Sequence, residues 1–344
     1  MLDVPLSLLD RARTRAGEDD AQSLVGVVAR SRRAEELGFS RFWVAEHHAV
    51  PGVAGSAPTV LAMAVLDATT RLRVGTGGVM LPNHAPIVVA EQLATLAALH
   101  PGRVDAGVGR SPGFTAPVRR ALRREATDGP PARPADDAFA ADLAELRDLL
   151  LGRADVTSRP QVGPVPLLVL ATGGGLRVAA RLGLPAVVGG PLVTGLLGDD
   201  ERATGRAAEA LEDYRRAFVP SEQAPEPRVV LAVDVLLADD ARAAAELALP
   251  EAWAMAEART TGSFPPLRPV AELRGRPATG AHARHLASAQ AAVVTGTPEL
   301  VEERLAALVA RSGAAEVLAT SSTTDRAALA RSDALLAGLG RGRG

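Results

Sequence analysis

Glu46, His47 and His48 stand side by side, directly after the apolar run Arg41-Phe42-Trp43-Val44-Ala45 and just before Pro51-Gly52. The chain holds only six histidines and no cysteine, so a histidine pair beside a carboxylate narrows the available chemistry. Imidazole moves protons near neutral pH, and a neighbouring carboxylate can fix its tautomer. Metal binding by the pair is disfavoured, because neighbours on a strand point to opposite faces, whereas two ligands on one face need i, i+2 spacing. One histidine is expected to face the interior and the other to pack outward; a purely structural pair is the alternative.

Other stretches have the composition of binding turns. Gly77-Gly78 is followed by Pro82, Asn83 and His84, and Arg110 by Ser111 and Gly113. Thr172-Gly173-Gly174-Gly175 follows the apolar run 165–171 and opens a segment ending at Leu182-Gly183-Leu184-Pro185. Glycines let a backbone approach a ligand closely, and the first turn of a helix aims unpaired N–H groups at an anion. This turn reads as a phosphate site, with Thr172 adding a hydroxyl, Arg110 a possible cation, and Arg177 and Arg181 on the helix surface. A tight connection without a ligand is the alternative.

The elements that would position these residues follow from periodicity. Eight apolar, branched runs of strand length occur, at 4–9, 41–45, 72–81, 103–109, 165–171, 185–189, 228–237 and 315–320. Most are nearly continuous in apolar character, as strands covered on both faces are. Helical spacing separates them: Phe139, Leu143, Leu146 and Leu150; Val89, Leu93 and Leu96 behind Pro86; and Val301, Leu305 and Leu308 between Thr297-Pro298 and Gly313. Eight strands alternating with helices predict an α/β fold, a (β/α)8 TIM barrel, in which chemistry sits at the C-terminal ends of the strands. An open doubly wound sheet is less well supported, since no G-x-G-x-x-G follows the first strand. The Pro/Gly-rich stretches 111–136 and 259–282 read as loop insertions at the C-terminal face, the second as a possible lid, although plain surface loops have the same composition. One domain is expected over 1–338, with 339–344 a frayed tail.

Composition excludes several classes. All 38 basic residues are arginine, so neither a Schiff-base lysine nor a P-loop lysine exists. The absence of cysteine removes disulfides and thiol chemistry and fits a reducing cytoplasm. A net charge of −2 offers no basic face for nucleic acid. No signal peptide or membrane-length apolar run is visible.

Taken in order, RFWVAEHH, RLRVGTGGVMLPNHAP, ALHPGRVDAGVGRSPG and the strand–TGGG–helix–GLP segment resemble the bacterial luciferase-like flavin-dependent monooxygenases, over about residues 3 to 335. The resemblance implies a TIM barrel that binds FMN in its reduced form, FMNH2, supplied by a separate flavin reductase, with O2 as co-substrate. It implies oxygenation of a small organic substrate through a flavin (hydro)peroxide, and a homodimer. No nicotinamide fingerprint in the chain suggests a built-in reductase. Residue by residue, His47 matches the histidine of the flavin chemistry, with Glu46 beside it as its expected partner. Gly77 and Gly78 match a pair joined by a cis peptide under the flavin ring. Arg110 matches a residue near the phosphate or ring edge, and Thr172, Gly173, Gly174 and Gly175 match the phosphate turn. Many relatives carry serines where Gly173 and Gly174 stand, and luciferase itself has an acidic residue where Ala171 stands, so fewer side chains are left to hold a phosphate. A deazaflavin-dependent hydride-transfer oxidoreductase on the same barrel, or a non-catalytic flavin-binding homologue, are the alternatives. The substrate and the type of oxygenation are not legible.

Overall fold

The computed structural model describes residues 2–113, 115–122, 135–198 and 200–340. The described residues form ten strands: β1 (Leu6–Asp10), β2 (Arg41–Val44), β3 (Arg73–Thr76), β4 (Val79–Met80), β5 (Val104–Gly109), β6 (Leu167–Ala171), β7 (Ala186–Val188), β8 (Val229–Leu237), β9 (Val294–Gly296) and β10 (Glu316–Thr320). Every pairing between these strands is parallel. The order β1-β2-β3-β5-β6-β7-β8-β10 closes on itself, because β10 pairs with both β8 and β1. This is the predicted (β/α)8 barrel. The predicted run 72–81 is split at Gly77-Gly78, and its second part, β4, pairs with the far end of β5. The short β9 extends the sheet beside the end of β8.

Helices fill the outer layer where the apolar spacing placed them. Pro86–Leu99 buries Val89, Leu93 and Leu96. Pro298–Ser312 begins after Thr297 and stops at Gly313, whose left-handed backbone (φ +59°) suits glycine. Phe139, Leu143, Leu146 and Leu150 are buried along Ala135–Leu150. The last helix, Arg326–Leu339, is tied to the start of the chain by Leu2 N–H donating to Leu339 O. Residues 341–344 of the expected tail, and Phe114 and 123–134 of the first expected insertion, lie outside the described residues. No helix among the described residues is long and apolar enough to cross a membrane.

Alternation along the strands sorts side chains between two cores. Phe42 and Val44 join the large core between barrel and helices, whereas Leu9, Trp43, Leu168, Val187, Val230 and Leu318 fill the barrel interior. Below this apolar layer, at the N-terminal ends of the strands, the inward positions are charged. Asp105 is 0 % exposed and accepts from Arg41 (2.7 Å), Arg73 and the indole Nε1 of Trp43 (3.3 Å). Glu316 accepts from Arg41 (2.9 Å), Arg228 (2.7 Å) and Ser7 (2.6 Å). Two buried carboxylates thus organise three arginines into a polar floor.

The indole of Trp43 rests on that floor because its neighbours are glycines. A Cβ at Gly75 would lie 2.6 Å from Trp43 Nε1, and one at Gly107 would lie 2.9 Å from Trp43 Cζ3 and 2.0 Å from Thr76 O. Removing one member of a buried ionic network strands the others, at a cost of about 3–5 kcal/mol. Asp105→Ala is expected to lower unfolding free energy by about that amount in urea denaturation. A loss below about 1 kcal/mol, the scale of an exposed ion pair, would show that the floor does not hold the barrel.

Candidate active site at the C-terminal mouth of the barrel

The inward parity of each strand carries past its C-terminal end. Trp43 faces the interior, so Ala45 and His47 follow on the same side of β2; Leu9 faces the interior, so Arg11 follows on β1. On β8 and β10 the corresponding residues are Asp234 and Thr320, paired in register. His47 therefore stands at the mouth, half-buried, its backbone N–H held by Gly55 O at 2.9 Å. His48 turns to the other side, as the two-residue repeat requires.

The mouth is lined by an ionic network. Arg11 donates to Asp234 (2.6 Å), Glu251 (2.7 Å) and Thr320 (2.8 Å), and Thr320 donates to Asp234. Arg13 donates to the same Glu251 oxygen from Nε (3.1 Å) and Nη2 (2.6 Å), and its guanidinium lies 4.0 Å from the centre of the Phe264 ring. Burial opposes the charge on Arg11, but Asp234 and Glu251 outweigh it and hold its pKa above the ordinary value. Burial likewise opposes ionisation of Glu251, yet Arg13 and Arg11 keep it ionised, below the usual carboxylate range. His47 responds to the same charges in the opposite sense. Burial first, then Arg13 and Arg11, push its pKa down to about 3. The expected near-neutral titration is thereby corrected: His47 is a neutral imidazole at physiological pH.

Glu46 does not hold His47, as the sequence reading had it. It is buried, and its Oε1 takes His48 Nε2 at 2.6 Å and His84 Nε2 at 2.9 Å, while Oε2 accepts the Met80 N–H at 2.8 Å. These bonds, led by that from His84, outweigh the burial that disfavours its charge and lower its pKa. Glu46, His48 and His84 have ligand atoms within 4.8 Å of one another, a set that could approach a metal ion. However, the 2.6 Å separation of His48 Nε2 and Glu46 Oε1 is a hydrogen-bond length. Donors around a zinc at about 2.0–2.1 Å would stand roughly 3.3 Å apart. Glu46 is instead a clamp that ties the end of β2 to β4 and to the turn carrying His84.

Between those two elements lies the Gly77–Gly78 peptide, which is cis. Gly77 N–H donates to Val44 O at 2.7 Å, so the pair sits on the end of β2, next to the strand that carries His47. A Cβ at Gly77 would lie 2.4 Å from Leu9 Cδ1, and one at Gly78 would lie 2.7 Å from Gly107 O. Past the end of β6, Gly173 has φ +130°, a backbone that side chains rarely adopt, and a Cβ there would meet only open space. Gly174 and Gly175 lead directly into helix Gly175–Leu182, with Thr172 exposed before them. An open groove beside this turn is lined by Gly173, Gly174, Arg177 and Arg181. Arg110 follows β5 at an exposed position. The helix start offers backbone N–H groups to an anion, with Arg177 and Arg181 but also Asp137 and Asp213 along the groove, and Gly77 and Gly78 are buried without side chains at the end of β2.

Part of the stretch expected as a lid, residues 264–267, is held by backbone hydrogen bonds. Leu267 exchanges backbone hydrogen bonds with Thr14 (2.9 Å) and Ala16 (2.8 Å), and Gly52 N–H donates to Phe264 O at 2.8 Å. A Cβ on Gly52 would come within 2.2 Å of Pro265 O. Residues 264–267 therefore wall the mouth on the side of β1 and β2. The sequence reading missed Arg11, Arg13, Asp234, Glu251 and Thr320. The i, i+2 spacing of Arg11 and Arg13 past the first strand was the one available signal.

A closed parallel (β/α)8 barrel whose polar side chains gather at the C-terminal ends of its strands has the layout of an enzyme active site. The sequence profile of the luciferase-like monooxygenases matches residues 4–316, and the chain belongs to that family. A luciferase-like monooxygenase of Escherichia coli (strain K12) is 35 % identical over 273 residues, 76 % of each chain. The crystal structure of apo-MsnO8 superposes with a TM-score of 0.83 at 30 % identity, covering 98 % of both chains. Two more distant structures share the fold. They are the oxygenating constituent of 3,6-diketocamphane monooxygenase from Pseudomonas putida, in complex with FMN (TM-score 0.71, 16 % identity, 98 % of this chain and 97 % of that one), and an F420-dependent secondary alcohol dehydrogenase in complex with an F420–acetone adduct (0.69, 15 %, 98 % of both).

The depressed pKa of His47 has a definite sign in stability. As pH falls below about 6.5 the unfolded chain binds a proton there before the folded chain does. His47 thus contributes fully above pH 6.5, and its contribution is lost progressively toward pH 3. Ring proton NMR is expected to show His47 untitrated down to about pH 4. In His47→Gln the stability advantage of the parent chain should shrink as pH falls. Titration of His47 near 6.5 would overturn this account of the mouth.

Proposed function

We propose that the protein is a two-component monooxygenase, which takes reduced FMN from a separate reductase and uses O2 to oxygenate a small organic substrate. The observation that carries this reading is the placement of a neutral His47 at the mouth, beside the Gly77–Gly78 wall and under the control of Arg11 and Arg13. The FMN complex of the diketocamphane enzyme, on the same fold, supports the choice of cofactor. When bound, reduced flavin supplies the electrons that activate O2.

The chain's own residues have distinct tasks in this reading. The N–H groups at Gly173–Gly175 hold the phosphate, with Thr172 and Arg110 adding a hydroxyl and a charge. The Gly77–Gly78 backbone lies against the ring. An imidazole nitrogen of His47 takes up or returns the proton that moves at the reacting oxygen. A neutral imidazole serves as base without first losing a proton, and such a role is worth about 10²–10⁴ in rate. Glu46, through His84 and Met80 N–H, keeps the glycine wall against the end of β2. The stapled segment 264–267 screens the mouth from water.

A homodimer in the cytoplasm completes the reading. Val25 (68 % exposed) and Val60 (70 %) border an apolar groove between helices Asp20–Leu37 and Pro58–Ala68, which gives a second copy of the chain a face to cover. Val60→Asp is expected to convert the dimer to monomer in analytical ultracentrifugation; an unchanged mass would move the interface elsewhere.

The direct test is anaerobic titration with reduced FMN, then rapid mixing with O2 while the absorbance spectrum is followed, with deazaflavin titrated in parallel. Binding of FMN followed by a long-lived oxygenated spectrum is expected. Tight binding of deazaflavin alone would replace oxygenation by hydride transfer. In His47→Ala, flavin binding should persist while turnover falls about 10²–10⁴-fold, and undiminished turnover would remove His47 from the chemistry.

A further inference from the structure

Behind the mouth, between helices Asp20–Leu37 and Arg326–Leu339, a small cavity of about 20 Å³ is lined by five arginines: Arg13, Arg15, Arg30, Arg33 and Arg326. Four of them are matched. Arg13 holds Glu251 at 2.6 Å. Arg30 makes a two-pronged bond to Asp333 (2.8 Å each) and also reaches Asp10 (3.0 Å). Arg326 makes a two-pronged bond to Glu18 (2.9 and 2.6 Å), and Arg15 lies 3.8 Å from the same carboxylate. Arg33 has no carboxylate counterpart among the described residues, and its Nε is buried without a hydrogen-bond acceptor. Five guanidinium groups thus face four carboxylates.

The acceptors on the cavity wall are already engaged. Asp10 Oδ1 accepts the Ala12 N–H and Oδ2 accepts Arg30, and Ser321 O accepts from Arg30. The crowding of positive charge is felt by Arg15, whose pKa falls through burial and then through Arg326. Gly26 is part of the construction, since a Cβ there would overlap the Arg326 guanidinium that crosses the helix at that point. Water in this space could accept from the Arg33 N–H but would leave the surplus positive charge unanswered, and charge held partly out of solvent is costly.

We propose that this cavity is a binding site for a small monovalent anion of the halide class, chloride or bromide, held by Arg33 together with the matched arginines around it. The space suits one atom-sized guest. The site lies outside the barrel interior and does not depend on the cofactor reading.

The test uses the intact chain, purified in chloride-free buffer. Thermal unfolding is followed during titration with sodium chloride or bromide, against sodium gluconate at equal ionic strength. A saturable rise is expected with either halide and not with gluconate, on the order of 2–4 °C at a tenfold excess over Kd. Arg33→Gln should fold, with its melting temperature no longer responding to halide, and Arg33→Lys should restore part of the response. Crystals soaked in bromide should give an anomalous peak in the cavity. Coincident chloride and gluconate curves, a halide response undiminished in Arg33→Gln, or a soaked crystal whose cavity holds only water would each overturn the proposal.

Discussion

A buried carboxylate at the floor of the barrel governs what stands above it. Asp105 accepts from two arginines and from the indole N–H of Trp43, and those bonds fix the height and tilt of the largest side chain in the interior. An indole occupies so much of a closed eight-stranded barrel that facing positions must give way, hence glycine at 75 and 107. The bulk is spent low in the barrel. Above Trp43 the inward residues include Ala45, Gly77 and Ala232, which leaves the mouth to polar side chains and to whatever binds among them. The floor and the mouth are therefore parts of one packing problem.

At the mouth the same alternation brings charges together that the chain keeps far apart. Arg11 meets Asp234, Glu251 and Thr320, and Arg13 meets Glu251, across more than 200 residues of sequence. The network is nearly neutral in sum but not at every point. His47 lies closer in effect to the guanidinium groups than to the carboxylates and is held uncharged. Such a residue is a weak base that returns a proton readily. Glu46 acts on the opposite side of the backbone. Its carboxylate holds two imidazoles and one amide, and its task is to fix the distance between β2 and the glycine wall.

What the sequence reveals and conceals follows from the range of each interaction. The eight strands, the helices at Pro86 and Pro298 and the glycine turn at 173–175 rest on local periodicity and turn chemistry, and all were readable. That one histidine of the pair faces inward follows from a repeat of two. The partner of Glu46 was not readable: the nearest histidine in sequence is His47, but a strand sends neighbours to opposite faces, and the carboxylate takes His48 and the distant His84. The contacts of residues 264–267, within the stretch expected as a lid, were not readable for a similar reason. Proline and glycine in 259–282 signal irregular backbone, but only the fold shows that backbone hydrogen bonds to Thr14, Ala16 and Gly52 tie it down. The pKa of His47 depends on Arg13 and Arg11, whose nearness requires the closed barrel.

Arg13 joins two regions that otherwise seem separate. On one side it holds Glu251 and covers Phe264, fixing the wall of the mouth. On the other it borders the arginine-lined cavity between the first and last helices. It is also the largest single charge acting on His47. An anion in the cavity would offset part of that charge as seen from the mouth, and the imidazole would become easier to protonate. The effect needs no movement of the backbone, because low-dielectric surroundings transmit charge over such distances far better than water does. The protonation state of His47 is thus set first by burial and then by Arg13 and Arg11, which the turn after β1 brings beside it.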